Sequence, residues 1–385
     1  MSEIHGRIDP AFARVGEAFR RNFAELGEIG AGVTVVVEGK TVVDLWGGAK
    51  NGKTGEPWRE DTITIVFSST KGATALCAHL LASRGLLDLD APVARYWPEF
   101  AAAGKESIPV RMLLNHRAGL PAVSIDLAAD AYYRWDTMVD ALARQAPWWE
   151  PGSAHGYHAI TMGYLVGEVV RRVSGRSLGT FFREEIAAPL GLDFWVGLPE
   201  AHEGRAAFMK GSQLPEVPSP LFIAMGDPET VTHRAFLNPA SLFHMREVNS
   251  RAMRAAEIPA ANGMASARGL AGMYVPLAEE RGLDGIGADA VARMGRVESE
   301  GEDRVLLAPT RFAAGFMKTM DNRPGDSAIL GPNEAAFGHV GAGGSIGFAD
   351  PVARVGFGYV MNHMGDGFLL NPRGQGLIDA VYASL

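Results

Sequence analysis

Strand-forming text stands at both ends of this chain, and helix-forming text fills the space between. GVTVVVEGKTVVDLWGG (32–48) has two β-branched runs flanking Glu38-Gly39-Lys40, a hairpin signal. GSIGFADPVARVGFGYVMN (344–362) has two extended runs around Asp350-Pro351, a second one. From about residue 87 to 200 helical patterns dominate, punctuated by prolines. The expected architecture is α/β in the α+β sense: a mixed or antiparallel sheet from both chain ends, flanked by helices, with a mostly helical domain inserted. The 385 residues, 47% hydrophobic, exceed one comfortable compact domain. The expected division is 1–90 with 205–385 as a discontinuous α/β domain, and 91–204 as the helical domain.

Finer readings follow from local pattern. The first 30 residues read as an amphipathic helix with Phe12, Val15, Phe19 and Phe23 on one side. NGKTGEPWRED (51–61) is a connecting loop, and ITIVF (63–67) a short strand or extended entry. SSTKGATALCAHLLASRG (68–85) has helix periodicity and stops at Gly85. TMGYLVGEVVRRVSG (161–175) is a helix with a glycine stop, and ASARGLAGMYVPLAEE (265–280) another helix. Residues 201–260 are proline-rich and irregular, read as long loops packing over something.

Composition removes several function classes. The net charge of −8 without a basic patch argues against nucleic acid as a partner. The single cysteine, Cys77, makes no intrachain disulfide and reads as a small buried residue of a helix. The N-terminal text is neither a signal peptide nor a membrane span, so a soluble cytoplasmic protein with no membrane partner is expected. No dinucleotide or Walker pattern implies a nucleotide, and no cofactor is expected. Nothing in the sequence sets the oligomeric state.

Two serines compete as nucleophile. Ser345 in GGSIG (343–347) has the Gly-x-Ser-x-Gly spelling of the α/β-hydrolase elbow. That elbow needs a following helix, then an acid and a histidine. Here a strand-like run follows, and the only later histidine is His363. Ser68 and Lys71 form Ser-x-x-Lys at a helix start, where spacing i, i+3 puts both side chains on one face. A helix start also offers N–H groups to a developing oxyanion. Ser68 is the better candidate.

With that helix in view, the chain resembles the penicillin-recognising serine hydrolases, above all the class C β-lactamase-like esterases called family VIII carboxylesterases. The resemblance runs through VFSSTKGATALCAHLLASRGLLDLDAPVARYWPEF (66–100), LLNHRAGLP (113–121), WWEPGSAHGYHAITMGYLVGEVV (148–170) and GHVGAGGSIGFADP (338–351). It implies a class C β-lactamase-like fold with the active site between the two domains. It implies Ser68 as acyl-accepting nucleophile, Lys71 as its partner and Tyr157 as the tyrosine completing the site. The backbone N–H groups of Ser68 and Ala342 become the oxyanion donors. His339-Val340-Gly341 stands where lactamases have Lys-Thr-Gly, so His339 and Gly341 are expected against substrate. The literal Lys53-Thr54-Gly55 precedes Ser68 and is a decoy.

Three departures weaken lactam recognition. Ala159 stands where class C lactamases have an amide-binding asparagine. Val123 falls near a second amide-binding position, and His339 replaces a lysine that holds the lactam carboxylate. The expected activity is therefore hydrolysis of small-molecule, short-chain esters through an acyl-enzyme on Ser68, with weak lactam hydrolysis or acyl transfer to alcohols beside it. The alternatives are a true β-lactamase or DD-peptidase and, in another class, a catalytically silent ligand-binding relative. The expected base is a Lys71–Tyr157 unit with Tyr157 nearer the serine, later the acid for the leaving alcohol. His155 and His158 lack a third ligand at zinc-like spacing, so no metal site is expected and both read as polar groups at the pocket edge. Trp149, with Trp148, is a candidate pocket wall. His116 reads as structural, bonding a loop carbonyl.

Overall fold

Glu38 and Gly39 both take positive φ, 49° and 75°, as a tight two-residue hairpin requires. The turn joins strands Gly30–Val37 and Lys40–Asn51. The second hairpin joins Ile346–Asp350 to Val355–Met361, and Asp350 Oδ1 closes its turn by accepting the Val352 N–H at 2.9 Å. Val355–Met361 then pairs antiparallel with Gly30–Val37, Val33 opposite Tyr359 and Val35 opposite Phe357. The two ends of the chain therefore meet inside one sheet. Its order is Ile4–Ile8, Lys40–Asn51, Gly30–Val37, Val355–Met361, Ile346–Asp350, Phe337–Val340, Met317–Lys318, Pro309–Phe312, Ser299–Glu302, with Glu56–Pro57 beside Lys40–Asn51. Every one of these pairings is antiparallel.

The computed structural model describes residues 3–212, 218–279, 282–283, 285–320, 329–365 and 371–385. Residues 1–2, 213–217 and Glu280, which the expectations above take in, lie outside the described residues.

Helix Ala267–Ala278 covers one face of the sheet. Glycines stand on the strands beneath it. A Cβ at Gly356 would come 2.7 Å from the Val275 side chain, and one at Gly358 would come 2.5 Å from the Ala267 oxygen. Glycine there lets the helix rest on the strand backbones. Helix Ala13–Glu25 packs against the last helix, Pro372–Tyr382. The first element is a strand, Ile4–Ile8, rather than the start of a 30-residue helix. Asp9-Pro10 makes the break, with Asp9 accepting the Ala11 N–H and Pro10 opening the next turn.

Between the strands lie helices Val110–Leu114, Trp135–Arg144, Thr161–Ser174 and Leu178–Phe182. Gly175 ends the third at φ 72°. The region expected as loops carries short helices instead: Pro220–Met225, Val231–Leu237, Met245–Val248 and Arg251–Ala255. A second, three-stranded sheet joins Thr64–Ile65, Met264–Ala265 and Phe194–Trp195. It delivers the chain to Ser68. No described helix is long and apolar enough to cross a membrane.

Candidate active site

The chain leaves Thr64–Ile65 and turns sharply at Phe67, whose φ is +43°, a costly value for a bulky residue. Phe67–Ser69 forms one 3-10 turn, and helix Thr70–Ser83 follows directly. Several bonds hold this turn. Val66 N–H donates to Gly263 O at 2.8 Å. Thr70 Oγ1 donates to Phe67 O and accepts the Gly263 N–H. Ser345 Oγ donates to Val66 O at 2.7 Å, and Ser69 Oγ donates to His339 O at 3.2 Å. Ser345 is fully buried and spends its hydroxyl on this brace. Gly341 has no room for a side chain, since a Cβ would sit 2.2 Å from Val66 O. It lets strand Phe337–Val340 close on the nucleophile turn, and its Cα faces protein rather than ligand.

Lys71 is fully buried one helical turn after Ser68. Its Nζ lies 3.1 Å from Ser68 Oγ, 2.7 Å from Ala159 O and 3.0 Å from Ala260 O. It also lies over the Tyr157 ring, 4.6 Å from the centroid. Burial holds its pKa well below the ordinary lysine value.

Tyr157 sits in the turn before helix Thr161–Ser174, and sequence reading missed what fixes that turn. Asp303 Oδ1 accepts the N–H groups of Tyr157, Val305 and Leu306 at 3.0, 2.8 and 2.8 Å. His158 donates from Nδ1 to Gly156 O, 2.6 Å away, and accepts the Leu120 N–H at Nε2, 3.1 Å away. Both ring nitrogens are spent and the residue is fully buried, so His158 is a brace and not a pocket-edge group. His116 accepts the His158 N–H at Nδ1 instead of bonding a carbonyl. Trp149 packs its ring on Gly156 and carries Arg304 at 5.5 Å, supporting the turn. Val123 is buried, and its carbonyl accepts from Asn238. Neither Trp149 nor Val123 lines the cavity at Ser68. Burial raises the Tyr157 hydroxyl above its ordinary range, and a hydrogen bond with Ser68 works against that rise.

The space at Ser68, with the open solvent at its mouth included, measures about 390 Å³. Ser68, Ala342 and Ala159 line it, with Ile160, Phe236, Leu242 and Met253. The last three come from the segment expected as covering loops. Among the described lining residues, Ser68 alone has a polar side chain. Tyr157 and His339 are not among the cavity's described lining residues; His339 is 1% exposed, its ring centroid 6.0 Å from that of Tyr157.

Buried histidines make this protein acid-sensitive. Burial pushes His79 and His158 down to about 4 and His339 to about 3. An unfolded histidine binds its proton near 6.5. Between about pH 6.5 and 4 the unfolded chain therefore holds more protons, and stability falls as pH falls. It is complete above about 6.5, and each residue adds up to about 1.4 kcal/mol per pH unit to the slope. Thermal midpoints at pH 7, 5.5 and 4.5 should drop in that order, with a shallower slope in His79→Asn. A midpoint constant from pH 7 to 4.5 would contradict this.

An antiparallel sheet from both chain ends, with Ser-x-x-Lys at a helix start and a buried tyrosine opposite, is the plan of a serine hydrolase. The chain belongs to the beta-lactamase family, whose model matches residues 19–380. The esterase/beta-lactamase LipL of Mycobacterium tuberculosis is 36% identical over 361 residues, which cover 90% of this chain and 80% of that protein. Two solved structures, a family VIII carboxylesterase and a penicillin-binding protein homolog from Caulobacter crescentus, each match at TM-score 0.89 and 40% identity over all of both chains.

Proposed function

We propose that this chain is a serine carboxylesterase that cleaves short acyl esters through an acyl-enzyme on Ser68. The site lies between the sheet domain (1–90 and 205–385) and the helical segment 91–204. The observation that carries the reading is the bond geometry of Lys71. Two carbonyls, Ala159 O and Ala260 O, each need a hydrogen from Nζ. As an ammonium, Nζ also donates to Ser68 Oγ; as a neutral amine its two hydrogens stay on the carbonyls and its lone pair turns to Ser68 Oγ. Burial favours that neutral state, outweighing the attraction of the Tyr157 ring for a cation.

We therefore assign Lys71 as the first base, in place of the Tyr157 expected from sequence. Ser68 gives its proton to Lys71 Nζ as Oγ attacks the ester carbonyl carbon. The oxyanion is held by the N–H groups of Ser68 and Ala342. On collapse, the leaving alkoxide takes the Tyr157 phenolic proton, and Lys71 replaces it. Water then enters where the alcohol left and runs the same relay in reverse, returning the proton to Ser68. An alcohol in that place accepts the acyl group instead.

The apolar cavity suits a short acyl chain, and His339, kept neutral by burial, offers no charge to a carboxylate. The family VIII carboxylesterase among the solved structures supports the ester reading, while the name of LipL carries both esterase and beta-lactamase.

Tyr157→Phe tests the role of the phenol. If Tyr157 protonates the leaving group, kcat/KM for an alkyl butyrate should fall by about a hundredfold or more. The p-nitrophenyl ester, whose leaving group needs no proton, should lose far less. Equal losses on both esters would make Tyr157 the base and overturn the assignment.

A further inference from the structure

His339 carries an atom without a partner beside the reacting centre. Its Nδ1 lies 2.7 Å from Val340 O. A carbonyl only accepts, so Nδ1 holds the proton and Nε2 is a bare lone pair. Nε2 is buried, and no described group bonds to it. Burial opposes a second proton on this ring. An unpaired buried acceptor is a cost carried by the free enzyme. A bound group that brings a hydrogen removes that cost. An alkyl group leaves it in place, and a carboxylate adds a second acceptor against the first.

The two arms of an ester meet different surroundings. Around Ser68 the cavity offers Ile160, Phe236, Leu242 and Met253 to one arm. The other arm must lie at Tyr157 if the phenol is to protonate the leaving oxygen. That places the alcohol portion next to His339, whose ring neighbours Tyr157. We propose that His339 Nε2 accepts a hydrogen bond from a second hydroxyl on the alcohol portion of the ester. Monoesters of diols and polyols are then the preferred substrates. This rests on the carboxylesterase reading above, with Tyr157 as the acid.

The test compares 2-hydroxyethyl butyrate with propyl butyrate, which differ by hydroxyl against methyl at one end. Each kcat/KM is divided by the rate constant of the same ester with hydroxide, to remove intrinsic reactivity. The wild type should prefer the hydroxyethyl ester by on the order of tenfold. In His339→Leu the ratio should fall to about one. His339→Gln, which keeps an acceptor, should retain part of the preference. A wild-type ratio near one overturns the proposal without any variant, as does an undiminished ratio in His339→Leu. If neither these esters nor p-nitrophenyl butyrate is hydrolysed, and a fluorophosphonate leaves Ser68 unlabelled, the carboxylesterase reading fails and takes the proposal with it.

Discussion

A chain carrying Ser68→Ala should take up no fluorophosphonate and should lose turnover by roughly ten-thousandfold or more. Intact mass before and after the probe reads the first effect, and ester hydrolysis the second. The same experiment on Ser345→Ala should give the full mass increase. The difference comes from what each hydroxyl faces. Ser68 Oγ stands 3.1 Å from a lysine amine, at an open cavity. Ser345 Oγ faces Val66 O and Ser69 Oγ in the interior. Its removal takes one of two donors from Val66 O, which keeps the Ser69 N–H, and costs about 0.5–1.5 kcal/mol of stability. Label lost in Ser345→Ala and kept in Ser68→Ala would place the nucleophile on the strand and refute the mechanism.

The second large effect concerns stability far from the cavity. Arg373 Nη1 donates to Glu28 Oε1 at 2.9 Å, with side chains 4% and 0% exposed. Arg373 Nη2 donates to His363 O, and the Tyr359 hydroxyl bonds the other Glu28 oxygen. Burial pushes Glu28 up to about 7 even with the guanidinium beside it. The pair therefore carries a desolvation cost that its bonds only partly return. Glu28→Leu should cost about 3–5 kcal/mol, because arginine cannot shed its charge. Arg373→Leu should cost less, since Glu28 can bind a proton near neutral pH. The double variant should recover much of the loss. Thermal unfolding of all three at pH 7 checks this, with a fall in Tm of several degrees for Glu28→Leu. Equal losses in the two single variants would contradict the argument.

Local chemistry explains which features could be read from the text. Glu38-Gly39 and Asp350-Pro351 announce their hairpins because turn residues interrupt β-branched runs. Helix Thr161–Ser174 announces itself by its period and by Gly175. Ser68 and Lys71 share a helix face, so three letters of spacing hold their relation. The strand Ile4–Ile8 gave no such signal. It is five residues long, mostly exposed, and exists through pairing with Lys40–Asn51. Asp303 is 146 residues from the tyrosine it anchors, and its bonds go to backbone N–H groups. The carbonyls of Ala159 and Ala260 that hold Lys71 Nζ leave no mark on the side-chain alphabet. For His158, spacing from His155 was visible, while the Gly156 and Leu120 partners that use up its ring were not.

The pairing of Gly30–Val37 with Val355–Met361 joins segments more than three hundred residues apart. During synthesis the N-terminal hairpin leaves the ribosome first. Its Gly30–Val37 edge then waits for its partner, about 15–60 s at ordinary translation rates. Throughout that interval a row of Val33, Val35 and Val37 lies beside open backbone donors and acceptors, the kind of edge on which chains aggregate. The nucleophile turn shares the delay, because Ser345, whose hydroxyl braces it, is made 279 residues after Val66. The site proposed at Ser68 therefore stays incomplete in a nascent chain until the hairpin of Ile346–Asp350 and Val355–Met361 has been released.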